Sequence, residues 1–126
     1  MLFELDSRKT LEEIDRGLRE AAARHKFGVI TVHDLKQTMK NKGVDYAGEC
    51  MIYEVCNPQN AKQALEANPA ISTALPCRIS VYRAGGVFKL STMLPSQIMR
   101  LFDTPALEPV AGEVEAALKG IMTEAA

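Results

Sequence analysis

The residues from Arg8 to His25 place apolar side chains at steps of three and four, which restricts this stretch to one kind of secondary structure. The apolar positions are Leu11, Ile14, Leu18 and Ala22. This period indicates an amphipathic α-helix with one apolar face. Thr10 and Glu13 have the spacing of a capping box, in which each residue bonds the backbone N–H of the other. We therefore predict a helix over about 8–25.

The rest of the chain alternates between strand-like and helix-like stretches before it closes with a hairpin. Predicted strands cover Leu2–Leu5, Phe27–His33, Glu49–Cys56, Cys77–Arg83 and Val87–Ser91, the last two joined by Ala84-Gly85-Gly86. Predicted helices follow Asp34, Asn57-Pro58 and Pro95, and a last one covers about Val110–Thr123. The closing hairpin is antiparallel. We predict an α+β fold, with a mixed, mainly antiparallel sheet packed on helices along one face.

Length and charge exclude several classes of protein. A chain of 126 residues with 47% hydrophobic and 25% charged residues is typical of one globular domain, here 1–126. Its 15 basic residues are balanced by 16 acidic ones, which disfavours nucleic acid as a partner. No stretch reaches the ~18 apolar residues of a membrane span. Three cysteines without a secretory signal indicate reduced thiols, so we expect a soluble, cytoplasmic protein that binds no membrane.

Cys56 and Cys77 are the residues whose side chains are most able to take part in a reaction. Cys56 ends a predicted strand directly before a helix, and the positive end of a helix dipole can lower the pKa of a thiol. The alternative is that Cys56 is simply a small apolar side chain. If its strand lies antiparallel beside the strand that begins at Cys77, the two thiols share one sheet edge, with Cα atoms ~4.5–5.5 Å apart. Parallel strands would separate them, and Cys50 lies ~20 Å from Cys56 along its strand.

The two histidines give a weaker indication of function. His33 lies at a strand-to-helix junction and is a candidate ligand or acid–base residue, whereas the position of His25 at a helix C-terminus favours a structural role. Neither belongs to a metal-binding pattern, and we assign no metal ligand or cofactor. The chain also lacks a phosphate-binding glycine loop and a serine nucleophile elbow. No catalytic residue is therefore assigned beyond the candidates Cys56 and Cys77.

Several segments together resemble the family catalogued as domain of unknown function 302. They are His33–Lys36, Tyr53–Pro58 with Ala61, Leu75–Tyr82, and Pro95 after Ser91-Thr92-Met93. The resemblance implies a sheet wrapped around a long helix, similar to the TATA-binding-protein-like or helix-grip group, and a tendency to form homodimers. It implies neither DNA binding nor a particular activity. Some relatives are encoded among sulfur-oxidation genes, which suggests thiol or persulfide chemistry.

We therefore favour a homodimeric module that binds a small ligand or cofactor in a cleft between sheet and helix. Its candidate site residues are His33, Cys56, Asn57, Cys77 and Arg78, with Asn57 fixing a turn and Arg78 supplying charge for an anion. A second hypothesis is a thiol-dependent redox or sulfur-carrier protein, in which Cys56 attacks and Cys77 resolves. The third is haem or metal binding through His33 or His25.

Overall fold

The computed structural model describes all residues, 1–126, and contains one five-stranded sheet. The strands are β1 (Leu2–Ser7), β2 (Gly28–Asp34), β3 (Cys50–Cys56), β4 (Cys77–Ala84) and β5 (Val87–Met93). Their order across the sheet is β1-β5-β4-β3-β2. All four pairings are antiparallel, so the fold class is α+β as predicted, and the mixed element of that prediction is absent. The TATA-binding-protein-like grouping fits this architecture.

Five α-helices and two short 3-10 helices lie between the strands or follow the last one. The α-helices are α1 (Leu11–Arg24), α2 (Leu35–Asn41), α3 (Pro58–Ala67), α4 (Pro95–Arg100) and α5 (Glu108–Ala125), and the 3-10 helices are Pro69–Ala74 and Pro105–Leu107. The predicted capping box is present, because Thr10 and Glu13 bond each other's backbone N–H. Asp34 caps α2 by accepting from the N–H of Gln37. Local sequence therefore sets where these helices begin.

Helices α1 and α5 pack together and cover one face of the sheet. The fully buried side chains include Ile14 and Leu18 from α1, Leu118 and Ile121 from α5, and Tyr53, Val81 and Leu90 from the sheet. Alternation along the strands turns these sheet residues to the same side. Gly112 and Gly120 lower the helix propensity of α5, and packing against α1 offsets this loss. No helix combines the length and apolar character needed to cross a bilayer.

The opposite face of the sheet, which we call the outer face, is mainly polar. Lys89 Nζ lies 3.1 Å from Asp6 Oδ1 across the β1–β5 pair. The Tyr82 hydroxyl lies 3.0 Å from Ser91 Oγ and donates to Glu4 Oε2 at 3.2 Å. Cross-strand polar pairs of this kind are suited to a sheet surface in contact with water. The helices therefore occupy one face, as the sequence predicts.

Candidate functional site

A cavity of about 290 Å³ lies where the ends of β3 and β4 meet α3, α4 and α5. Of its 16 lining residues, 12 are hydrophobic and none is charged. The apolar lining includes Phe27, Val55, Leu65, Leu75, Met99 and Val110. Cys56 and Cys77 are among the twelve, and the remaining four are Asn57, Asn60, Ser72 and Pro76. We call this space the first cavity.

Asn57 shapes one wall of the first cavity by starting α3. Its Oδ1 accepts from the N–H of Asn60 at 3.0 Å, and its Nδ2 donates to the carbonyl of Lys26 at 3.1 Å. Pro58 follows at the first helical position, where its missing N–H costs nothing. Asn57 thus fixes the turn as predicted, and both ends of its amide are already bonded.

Cys56 and Cys77 both line the first cavity, but they do not face each other directly. The register of the β3–β4 pair places Val55 opposite Cys77, one residue before Cys56. Both cysteines are free thiols. The strands that carry Cys56 and Cys77 are therefore antiparallel neighbours. Their register is displaced by one residue, so that Cys77 is opposite Val55 and not Cys56.

Burial controls the acidity of these thiols. It raises the pKa of Cys56 above its ordinary value. Burial, together with the neighbouring Cys56, raises the pKa of Cys77 to about 11. This direction is opposite to the one that a helix dipole alone would give, and it favours the alternative interpretation of Cys56 as a small, half-buried apolar side chain. Both side chains are protonated thiols at neutral pH.

His33 and Arg78 belong to the outer face, and Arg78 is next to Cys77 at the end of β4. Glu54 lies between them: its Oε1 is 3.5 Å from His33 Nε2 and 3.5 Å from Arg78 Nε. Glu54 stands opposite Arg78 in the β3–β4 register and alternates with the buried Tyr53 and Val55. The structure thus divides the five candidate residues into Cys56, Asn57 and Cys77 at the first cavity and His33 and Arg78 around Glu54. Sequence reasoning missed Glu54, although its place between two buried residues indicates an outward side chain.

A second cavity of about 280 Å³ adjoins the first. The two share Leu75, Pro76, Cys77 and Met99, which form the wall between them. The Leu75–Pro76 peptide bond is cis. Arg78 contributes to the lining of this second cavity. The Met99 side chain is buried and contacts both cavities.

His25 has the structural role that the sequence favours. It is the C-cap of α1, and its Nε2 bonds Glu124 Oε2 on α5. Bonds from His25, and then from Arg24, lower the pKa of Glu124. No group of three or more His, Cys, Asp or Glu side chains is arranged to hold a metal ion.

The chain matches a protein family over almost its whole length. The family model described as "Domain of unknown function DUF302" matches residues 3–125. The chain belongs to the DUF302 family. A crystal structure of an uncharacterized conserved DUF302 protein from Bacillus stearothermophilus is similar to it, with 27% sequence identity and a TM-score of 0.93. The match covers 99% of this DUF302 chain and 98% of the other.

None of the curated proteins matches this DUF302 chain. Homodimerisation and sulfur chemistry, which the family resemblance implies, stay predictions.

Proposed function

We propose that this DUF302 protein binds a small, neutral and largely apolar molecule in the first cavity. The observation that carries the proposal is a volume of about 290 Å³ whose 16 lining residues include no charged side chain. Ligand pockets typically measure ~300–1,000 Å³ and are lined mainly by apolar side chains with a few polar groups. A cavity at the lower end of this range suits a ligand smaller than an ordinary drug molecule.

Two polar groups at the first cavity are free to orient such a ligand. The Asn60 amide donates through Nδ2 to Glu113 Oε2 at 3.1 Å, which leaves its Oδ1 without a protein partner. The Ser72 hydroxyl makes no side-chain hydrogen bond within the protein, and both residues line the cavity. A ligand with one hydroxyl or amide group could bond either residue while its apolar part contacts Phe27, Leu65 and Met99.

The thiol hypothesis has less physical support than ligand binding. An attacking cysteine reacts as its thiolate, and burial raises the pKa of both Cys56 and Cys77. In our proposal the two side chains serve as small apolar lining groups. Metal or haem binding through the histidines is also less favoured, because His25 bonds Glu124 and His33 lies on the outer face beside Glu54.

Mass spectrometry of the intact, freshly purified protein under non-denaturing conditions tests the proposal and can identify the ligand. We expect an added mass that Ala61→Phe abolishes, because Ala61 lines the first cavity and a phenyl ring there would fill it. The matched control is Ala23→Phe on the exposed side of α1, which should retain the added mass. An added mass retained equally by both variants would place the ligand elsewhere.

A further inference from the structure

We propose that the second cavity is a separate binding site for a small amphipathic carboxylate, with Arg78 as its cationic anchor. The cavity measures about 280 Å³, and Arg78 is the one charged residue among the 13 that line it. Eight of the others are hydrophobic. A single cation beside an apolar surface is complementary to a ligand with one anionic group and an apolar body.

The terminal N–H donors of the Arg78 guanidinium have no partner in the protein. Its ion pair with Glu54 is made through Nε at 3.5 Å, longer than the ~2.7–2.9 Å of a charge-assisted hydrogen bond. It makes no hydrogen bond to another protein side chain or carbonyl, and its side chain is 58% exposed. Because Glu54 does not line the second cavity, the terminal nitrogens of Arg78 remain available to a carboxylate in the two-pronged arrangement that arginine favours.

The hydroxyl groups that line the second cavity are already bonded. Thr92 Oγ1 donates to the carbonyl of Arg78 at 2.7 Å, and Thr73 Oγ1 donates to the carbonyl of Ala70 at 2.9 Å. The bond from Thr92 also occupies the carbonyl oxygen of Arg78. The partial negative charge of this oxygen would otherwise repel an anion bound by the Arg78 guanidinium. Arg78 is therefore the principal donor that a ligand in this cavity would meet.

Exposed apolar side chains at the second cavity indicate where the body of the ligand lies. Met93 is 49% exposed and Leu101 is 78% exposed, and both line the cavity. A ligand that covers such surface removes it from water, which is favourable. A short alkyl chain could contact these side chains while its carboxylate pairs with Arg78.

Octanoate and 1-octanol, which differ in the charge of the head group, provide matched probes. We would follow the backbone amides of Arg78, Met93 and Leu101, which line only the second cavity, by NMR during titration of the full chain. Wild type should bind octanoate at this site about threefold to fivefold more tightly than 1-octanol, the upper part of the range for a partly exposed ion pair. Arg78→Met should remove this preference. Arg83→Met, five positions along the same strand and outside the cavity, should keep it.

Either of two results would overturn the inference: equal affinity of wild type for the two probes at this site, or a preference for octanoate that survives Arg78→Met. The result for the first cavity is independent, because the neutral probe reports there through Asn60 and Ala61. If 1-octanol shifts Asn60 and Ala61 while octanoate leaves Arg78 unchanged, the carboxylate site fails and the proposed function stands. If octanoate shifts Arg78 while neither probe shifts Ala61, the carboxylate site stands and the proposed function fails.

Discussion

Cys77 lies opposite Val55 in the antiparallel β3–β4 pair, and both side chains border the first cavity. This register directs the Cys77 side chain to the face on which Val55 is buried. Cys56, one residue further along, reaches the same cavity from the last position of β3. The two thiols therefore form part of a largely apolar lining, and this placement determines how they should react.

The thiols should alkylate slowly at neutral pH. Burial raises the pKa of Cys56, and burial together with Cys56 raises that of Cys77 to about 11, so both are protonated at pH 7. We expect iodoacetamide to modify Cys56 more slowly than free N-acetylcysteine, and Cys77 to react appreciably only as the pH approaches about 11. Peptide mass spectrometry over time gives both rates. Alkylation of Cys56 faster than the free thiol at pH 7 would instead support the redox hypothesis.

Tyr53→Phe should destabilise the fold modestly. The Tyr53 side chain is fully buried, and its hydroxyl donates to Asp15 Oδ1 at 2.8 Å. Losing this bond should lower the free energy of unfolding by about 1 kcal/mol, since Asp15 keeps its bond to Arg19. Urea unfolding at pH 7 measures the change. Tyr46→Phe is the control, because the Tyr46 residue is 43% exposed and its hydroxyl bonds no protein group, and it should change the unfolding free energy by less than ~0.5 kcal/mol.

The burial of Tyr53 and its bond to Asp15 should also make the stability of the fold depend on pH in the alkaline range. Burial, followed by the bond to Asp15, raises the pKa of Tyr53 above its ordinary value of 10.0. The folded state thus holds this proton more tightly than the unfolded chain, so the stabilisation is complete below pH 10 and is lost as pH rises further. We expect the stability difference between wild type and Tyr53→Phe to shrink above pH 10 in urea titrations. A difference that grows there would mean that the sign of the pKa shift is wrong.

Two glycines of α5 should respond differently to alanine. Nothing lies within 4 Å of a Cβ built on Gly112, so Gly112→Ala should raise the free energy of unfolding by about 1 kcal/mol through helix propensity. A Cβ on Gly120 would lie 2.6 Å from Cε1 of His25, whose ring is held by Glu124. Gly120→Ala should therefore bring no gain. Thermal or urea unfolding compares the pair, and equal stabilisation by both would argue against the α1–α5 contact at His25.

The sequence predicts the local features well because their causes lie within a few residues. Thr10 and Glu13 set the start of α1, Asn57 sets the start of α3, and the Gly85-Gly86 turn joins β4 to β5. Boundaries that depend on distant packing are less accurate. The last helix begins at Glu108 rather than Val110, and the 3-10 helix Pro69–Ala74 is not among the predicted elements.

The candidate site is less predictable because it depends on contacts between distant parts of the chain. Met99 reaches both cavities from α4, and Glu54 joins His33 to Arg78 across three strands. Neither arrangement leaves a local pattern in the sequence. The burial that raises the pKa of Cys56 likewise depends on which elements cover the strand end. These are tertiary effects, and they decide the chemistry of the thiols.

Titration with a neutral apolar probe tests the central claim most directly. We would add 1-octanol to wild type, Ala61→Phe and Ala23→Phe, and follow the backbone amides of Asn60, Ala61 and Val114 by NMR. These residues line the first cavity. We expect saturable shifts in wild type and Ala23→Phe and none in Ala61→Phe, with all three proteins folded. Saturable binding that survives Ala61→Phe, or no saturable shift at these amides in wild type, would contradict the proposal that the first cavity is a ligand site.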